Sequence, residues 1–555
     1  MTRWVLATLL VLGTVVMALS RDDHHAPVAD LHADASYYYV YLPSLLHGDL
    51  DFSDEYKETR NWYHLGTTPI GRTANVFGIG PAVFDAPLFL VGHVAALITG
   101  SRSDGFSKWE VWGYTWSSLL FTLGAVFVAA RLVRRRGLGW HSGLDGIWGP
   151  VLAALAGPVV YYAVRQPGYA HPVATFWATL LVERWDASYD APRTLRTWLV
   201  LGAVLGAAML ARPQLALWGV ILAPAAIEDL RRDWKSIRYH LAGLAAAVVV
   251  FSPQLFAWKL LYGSWWTVPQ GPGFMRWDAP CWSEVLFSSR NGLFPWSPAY
   301  LLLLVALISA VKKMPRLVIA LVVGLVLQAI ANGAAWDWWA GGSFGGRRFD
   351  SCYVVFAVGG AVLVEYVVKK RPWKQWISPI ASGAVVWFVV MANVWLAGRY
   401  TVTSARIYGG VPASRVIAEK VPDPLGMMAS WISSASSFPV RLVFKWEHDV
   451  PLAAYDKVVG VHVLGETYPG LNSYADSTSG VISGGTIPPS GTLRLLVGLN
   501  RRGGVTIALP PGIKATWNGD PFTGHTEDLV RGVNDLDLTG PPGTVVNSLP
   551  IAATP

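Results

Sequence analysis

Residues 109–136 read WEVWGYTWSSLLFTLGAVFVAARLVRRR, and this stretch decides the fold. The apolar run from 109 to 133 is long enough to cross a bilayer core, which takes about 17–25 residues as a helix. It ends in Arg131, Arg134, Arg135 and Arg136, the kind of charge that holds a helix end in the cytoplasm. The same alternation recurs along the chain. Further apolar runs lie near 3–20, 144–163, 171–187, 196–212, 213–229, 239–260, 296–311, 316–334, 351–368 and 375–397. The basic clusters between them are Arg184 with Arg193 and Arg196, Arg231/Arg232/Lys235/Arg238, Lys312/Lys313/Arg316, and Lys369/Lys370/Arg371/Lys374. With the N-terminus inside, every cluster falls in the cytoplasm, provided that the apolar run 76–99 does not cross. That run carries Pro81, Asp85, Pro87 and His93, and we expect a juxtamembrane or re-entrant helix on the outer side. A true span, giving twelve, is the alternative. The first run is expected to be an uncleaved anchor rather than a signal peptide.

Composition agrees with a polytopic membrane protein. The 555 residues are 53% hydrophobic and only 14% charged, and 28 tryptophans far exceed the needs of a soluble chain of this size. The net charge of +8 is scattered in short clusters rather than one stripe, which excludes a nucleic-acid partner. Two cysteines, Cys281 and Cys352, exclude a disulfide scaffold and a thiolate metal cluster.

Three long stretches collect on the outer face: 21–108, 261–295 and 335–350. The inner loops are short and basic, so any chemistry is expected outside. Asp34 stands just after the first span and ahead of Tyr37, Tyr38, Tyr39 and Tyr41. Partial desolvation at such a boundary raises the basicity of a carboxylate, which suits it to taking a proton from a hydroxyl. In Gly345-Gly346-Arg347-Arg348 the guanidinium forks suit a phosphate and the glycines let backbone approach it. The other reading of Arg347 and Arg348 is a lipid-headgroup anchor or a structural pair with Asp337 or Asp350. Arg72, Arg290 and His171 are further candidates for a phosphate, though His171 could instead cap the helix that follows it. Carboxylates beside aromatic rings suit sugars, which brings in Tyr38, Asp49, Asp51, Glu284, Trp336 and Trp339. For any single Trp the interfacial belt is the better reading, and it is their density at 262–296 and 336–349 that points to a ligand. Asp49-Leu50-Asp51 has a spacing that leaves room for a divalent cation and is also common in exposed turns. No metal ligand set and no cofactor is assigned.

Taken together, Asp34 before Tyr-rich sequence, the Pro-containing run 76–99, a span ending in arginines, and Tyr161-Tyr162-Ala163 ahead of a polar residue at 171 resemble the GT-C superfamily. These are polyprenyl-phosphate-dependent membrane glycosyltransferases, among them the aminoarabinose, protein O-mannosyl and arabinofuranosyl transferases. The segments Tyr41-Leu42-Pro43-Ser44, Gly48-Asp49-Leu50-Asp51-Phe52 and Leu286-Phe287-Ser288-Ser289-Arg290-Asn291-Gly292-Leu293-Phe294 are similar to bacterial members. The resemblance covers roughly residues 1–400 and departs at Asp85, where relatives often carry an aromatic residue, and at His171, where several carry Asp. The apolar runs give about eleven transmembrane helices with outer juxtamembrane helices, in keeping with that resemblance. The resemblance implies inverting transfer of a sugar from a polyprenyl-phosphate donor to a periplasmic hydroxyl of a glycan, lipid or protein, with Asp34 as general base and the arginines on the departing phosphate. The setting it implies is a bacterial inner membrane, with the active site on the periplasmic side. A transporter or flippase of a lipid-linked sugar is the competing reading; the near absence of charge in the spans 109–133, 296–311 and 316–334 disfavours it.

After Leu396 the chain turns polar and rich in Gly, Pro, Ser and Thr. Residues 398–445 read as a juxtamembrane connector. Residues 446–555, with alternating stretches such as Leu493–Val497 and Val505–Leu509 and frequent turn signals, read as a periplasmic β-sandwich. Its expected role is acceptor binding or a structural cap.

Overall fold

The computed structural model describes residues 2–19, 31, 34–59, 66–138, 146–271, 273–341, 344–369, 434–459, 461–465, 478–500, 503–527, 529 and 532–554. The expected span at 375–397 and most of the connector 398–445 lie outside the described residues.

Helices dominate up to residue 369. They are α1 (Thr2–Leu19), α2 (Asp34–Tyr39), α3 (Tyr41–His47), α4 (Ser53–Glu58), α5 (Gly80–Ile98), α6 (Lys108–Arg135), α7 (Trp148–Ala156), α8 (Val159–Val164) and α9 (Ala170–Ala187). Then come α10 (Leu195–Ala211), α11 (Ala223–Arg232), α12 (Ile237–Tyr262), α13 (Trp282–Phe287), α14 (Leu293–Trp296), α15 (Pro298–Ser309), α16 (Pro315–Ala334) and α17 (Tyr353–Lys369). Among the described residues six segments are long and apolar enough to cross a membrane by length and composition: α1, α5, α6, 234–262, α16 and 347–366. The chain is a multi-pass membrane protein, and much of its exposed surface is apolar, as on α12 at Leu241, Leu244, Val248 and Val249.

Local chemistry explains the main joints. Ser107 caps α6 by accepting from Glu110 N–H, and Glu110 Oε2 accepts from the Ser107 N–H and hydroxyl in return. Glu110 Oε1 also lies 2.7 Å from His93 Nδ1, which fastens α5 to the start of α6. The two helices run antiparallel with backbones almost touching, since a Cβ on Gly92 would fall 2.1 Å from Trp109 O and one on Gly113 the same distance from Leu88 O. Phe84, near the other end of α5, meets Phe121. So α5 covers the first half of α6 and leaves its arginine-bearing end to α9. Asp85 is buried and His93 holds Glu110, so both polar residues of α5 face protein.

The run 144–163 is broken rather than continuous. Pro158 lacks the N–H that a helix interior needs, and Gly157 lies so close to the hydroxyl of Tyr300 that no side chain fits there. The run 213–229 begins as a tight 3-10 stretch, Pro213–Leu222, before α11. Helices α10 and α12 lie side by side through Gly202, Gly206 and Gly243, where small residues let backbones approach.

Beyond residue 433 come α18 (Phe438–His448), α19 (Tyr455–Val458) and eleven strands. These are β1 (Leu464–Gly465), β2 (Ser479–Ile482), β3 (Gly485–Thr486), β4 (Thr492–Asn500), β5 (Val505–Ile507), β6 (Lys514–Trp517), β7 (Asp520–Phe522), β8 (His525–Thr526), β9 (Gly532–Thr539), β10 (Val545–Val546) and β11 (Leu549–Ala553). One sheet has the order β1-β4-β9-β6-β7 and another β2-β11-β5-β8. Val497, Trp517, Leu536 and Leu538 of the first share a core with Ile482, Val505, Ile507 and Ile551 of the second. The expectation of an all-β C-terminal region is met. It is tied to the helical part through Arg290 Nη1, which donates to Val459 O at 2.9 Å, and through Ser289, whose hydroxyl donates to Asp456.

Candidate active site

The three outer stretches pack against one another. Tyr262 donates to Asn75 O at 2.9 Å, Trp336 N–H to Phe274 O at 2.7 Å and Asn291 Nδ2 to Trp339 O at 2.8 Å. Within this assembly Asp34 opens α2. That short helix is held by Tyr39, which donates to Gly105 O, and by Asn75, whose Nδ2 donates to Tyr37 O at 2.8 Å. Tyr37 also stacks on Phe77, with ring centroids 5.0 Å apart.

Arg347 arrives from 313 positions further along the sequence. Phe344 is fully buried, stacked on Tyr161, and its carbonyl accepts from the Tyr162 hydroxyl at 2.9 Å. Gly345 follows at φ +60°, a conformation that side chains disfavour, and turns the chain into the tight turn Arg347–Cys352. Arg347 Nη1 then donates to Asp34 Oδ2 at 2.6 Å, and its guanidinium lies over the ring of Tyr169. The Asp34 side chain keeps 25% of its surface exposed and that of Arg347 11%. Both are therefore reachable by a ligand.

Arg348 turns to the other side of the same turn, where Nη2 meets Asp337 Oδ1 at 2.6 Å and Nη1 donates to Asp337 O at 3.0 Å. The structural pairing that sequence offered as one reading of these arginines is present for Arg348. His171 does not cap α9. Its Nδ1 lies 3.3 Å from Arg212 Nη1 and 3.8 Å from Asp350 Oδ2, with the ring between Tyr162 and Tyr169. An amide chain joins the two arginine-bearing turns: Gln214 Nε2 donates to Gln328 Oε1 and Asn332 Oδ1, and Asn332 Nδ2 donates to Arg348 O. Tyr38 feels the charges of Arg212, Asp34, Arg347 and Arg348, and burial pushes its phenol up to about 12. It is a neutral donor at any physiological pH.

Asp34, Tyr38, His171, Arg347 and Arg348 thus come together, and Arg212 and Asp350 join them without having been singled out as site residues. The other candidates lie elsewhere. Arg72 is exposed and donates to Asp49 O at 3.3 Å. Asp49 Oδ1 accepts from Ser44 Oγ and Asp51 N–H, and Asp51 Oδ1 accepts from Ser53 N–H and the Thr73 hydroxyl. These bonds shape the turn before α4 and hold Asp51 below the usual carboxylate range. Among the described residues no group of three or more His, Cys, Asp or Glu side chains gathers to hold a metal ion. Arg290, Trp339 and Tyr455 form a buried seam toward the β region, with Glu284 beside Tyr455. Burial pushes the Arg290 guanidinium down to about 10, so it stays charged at neutral pH. Trp336 and Trp339 are 4% and 5% exposed, too deeply packed to offer an open ring face to a sugar.

Fold and site together define a multi-pass membrane protein with an arginine-rich, partly open cluster where the stretches 21–108, 261–295 and 335–350 meet. No protein-family model and no curated protein sequence matches the chain. Among solved structures it is similar to ArnT from Cupriavidus metallidurans bound to undecaprenyl phosphate, at 14% identity over 85% of this chain and 84% of that one, with a TM-score of 0.43. It is likewise similar to the same protein in the apo state, at 13% identity over 86% of each chain and a TM-score of 0.43. A third likeness is to the archaeal oligosaccharyltransferase AglB from Archaeoglobus fulgidus in complex with an inhibitory peptide and a dolichol-phosphate. There the identity is 12%, over 85% of this chain and 61% of that one, with a TM-score of 0.39.

Proposed function

We propose that the protein is a GT-C-type membrane glycosyltransferase that moves a sugar from a polyprenyl-phosphate donor to an acceptor hydroxyl with inversion. The observation that carries this reading is the meeting of one partly exposed carboxylate, Asp34, with Arg347 at 2.6 Å, beside Arg348 and Arg212. A phosphate needs a cluster of guanidinium groups, and a nucleophilic hydroxyl needs a base within hydrogen-bond reach.

Asp34 accepts from Arg347. A donor phosphate competes for that guanidinium and leaves the carboxylate free to face the acceptor. The acceptor oxygen attacks the anomeric carbon, the bond from that carbon to the phosphate oxygen breaks, and the hydroxyl proton passes to Asp34. Arg347 and Arg348 stabilise the charge growing on the departing phosphate. Phosphate leaves without a protonating acid. The apolar helix surfaces lead a lipid-borne donor to the cluster from the membrane side. The setting we propose is a bacterial inner membrane, with the cluster and the β region on the periplasmic side.

Native mass spectrometry of the purified protein beside Asp34→Asn tests the reading. A bound polyprenyl phosphate in the wild type and its glycosylated form enriched on Asp34→Asn are expected. Failure of either protein to bind added polyprenyl-phosphate sugar would sink it.

A further inference from the structure

Residues 67–73 form a tight turn whose tip is apolar. Thr67 and Thr73 pair across its base. The Thr68 N–H donates to Arg72 O at 2.8 Å and the Gly71 N–H to Thr68 O at 2.9 Å, while Gly71 takes φ +81° to close the loop. A loop bonded so closely presents its tip rigidly. There Pro69 and Ile70 face outward, Ile70 with 50% of its surface exposed. The tip rests on the end of α12, where a Cβ on Gly263 would fall 2.8 Å from Ile70 Cγ2. Just past Gly263 come Trp265 and Trp266, 52% and 68% exposed. Both fold back along the helix. Trp265 stands edge-on to Phe256 at 5.3 Å between ring centroids, and Trp266 edge-on to Trp258 at 5.5 Å.

Single exposed apolar residues are ordinary on a protein surface. This patch differs because it continues the outward face of α12. Leu244, Val248, Phe256 and Leu260 recur at helical spacing along one exposed stripe, on a segment long and apolar enough to cross a membrane. Where the stripe ends, Trp265, Trp266 and Ile70 take over. Exposed tryptophans at the end of such a helix suit the level of the lipid headgroups. Lys259 and Arg72 border the patch and are exposed; Lys259 Nζ donates to Gly263 O at 2.8 Å and Arg72 Nη1 to Asp49 O at 3.3 Å. Long basic side chains at a helix end lay their carbon stems on acyl chains and keep the charge among lipid phosphates.

From Thr73 the chain runs directly to the groups that hold α2. Asn75 Nδ2 donates to Tyr37 O at 2.8 Å, Asn75 O accepts from the Tyr262 hydroxyl, and Phe77 stacks on Tyr37. The turn, the end of α12 and α2 are therefore packed as one unit. We propose that the turn 67–73 and Trp265–Trp266 form a membrane-surface anchor, seated at the boundary of headgroups and acyl chains in the leaflet where α12 ends, and that it holds α2, with Asp34, at that level. The partner is the lipid surface itself. The anchor goes beyond the glycosyltransferase reading and does not depend on it.

The test uses the unmodified full-length protein in nanodiscs of phosphatidylethanolamine and phosphatidylglycerol, with a trace of phosphatidylcholine carrying a photoreactive diazirine close to the glycerol backbone. That group lies within the band of about 5–10 Å in which interfacial side chains bury. After illumination and digestion, mass spectrometry locates the adducts. We expect adducts on Ile70 and on Trp265 or Trp266 in yields matching those on Leu260 of α12, and loss of signal at Val481 of the β region, whose side chain is 61% exposed. Adducts on Leu260 with none on Ile70 overturn the proposal, and would mean that another segment or another protein covers the tip. Equal yields at Ile70 and Val481 overturn it as well, because the reagent then reports collision rather than residence. Adducts at neither Leu260 nor Ile70 overturn it too, since α12 would not present this face to lipid. None of these outcomes touches the arginine cluster, which binding of polyprenyl-phosphate sugar tests separately.

Discussion

Replacing Asp34 by Asn separates a base from a structural partner of Arg347, because the two roles move rate and affinity differently. The substitution keeps size and one acceptor oxygen but removes the charge. A positioned general base contributes about 10²- to 10⁴-fold, so the barrier should rise by about 2.7–5.4 kcal/mol at about 1.36 kcal/mol per tenfold. Donor binding should move the other way. A charge-assisted hydrogen bond is worth about 1.5–3 kcal/mol when buried. The 2.6 Å bond between Asp34 and Arg347 is partly open to water, with side chains 25% and 11% exposed. Screening reduces its worth to about 1 kcal/mol. Relieving Arg347 of that competitor should therefore tighten donor binding about fivefold. Calorimetry with undecaprenyl phosphate gives the affinity, and mass spectrometry of the glycosylated lipid with and without envelope extract gives the transfer. If Asp34 only holds Arg347 in place, affinity and rate will fall together. That result, or transfer within tenfold of wild type, would refute the reasoning.

Tyr38→Phe removes a neutral donor from the cluster; because burial places the phenol at about 12, the change should lower activity without moving any limb of the pH–rate profile below pH 10. A shifted limb would mean that the phenol titrates in the working range. Arg348→Lys keeps the charge but loses the two-pronged grip now spent on Asp337, and should weaken undecaprenyl phosphate binding about 10- to 100-fold, or roughly 1.4–2.8 kcal/mol; unchanged affinity would make Arg348 purely structural. Single cysteines at Thr73 and Ser101, with Cys281 and Cys352 changed to Ala, should both react with an impermeant thiol reagent from the same side of sealed vesicles; opposite sidedness would make α5 a true span. Arg290→Met should lower the melting temperature, since it leaves the Val459 carbonyl without its donor at a cost of about 1–3 kcal/mol, while undecaprenyl phosphate affinity stays within twofold.

The fold was legible where one physical rule acts over a whole segment. Membrane-length apolar runs flanked by basic clusters identify α6 and α16, and period-two alternation with turn signals identifies β4 and β5. The site was legible only where local chemistry is unusual. Asp34 stands out at a membrane boundary, and Arg347 stands out beside paired glycines. Arg212 was passed over although it breaks a rule: it is an arginine on the outer end of an apolar run, where positive charge is disfavoured. Its partners explain why it went unread, since His171 lies 41 positions away in the chain. Asp49 and Asp51 pulled the other way. Their spacing suggests a ligand-binding pair, yet their oxygens are occupied by neighbouring hydroxyls and amides. Aromatic density likewise could not separate the buried Trp336 and Trp339 from Trp265, Trp266, Trp277 and Trp282, which are more than half exposed.

The arginines at the two ends of the bundle are used differently, and the contrast supports the choice of site. At the end read as cytoplasmic, Arg131, Arg135 and Arg184 all bond the fully buried Glu183, and Arg136 bonds Asp186. Those acids sit on α9 beside the end of α6, so the bonds fix one helix against its neighbour. Their geometry is complete, with the carboxylates sealed from water. At the opposite end Arg347 reaches an aspartate 313 positions distant, from a helix of only six residues, and the bond is left partly open. A pair meant only to hold helices together gains from being closed, because water screens an exposed pair and weakens it. A pair that must exchange a carboxylate for a phosphate gains from being reachable. The Asp34 carboxylate, 25% exposed, has the second character, and the Glu183 carboxylate, fully buried beneath arginines that themselves reach water, has the first.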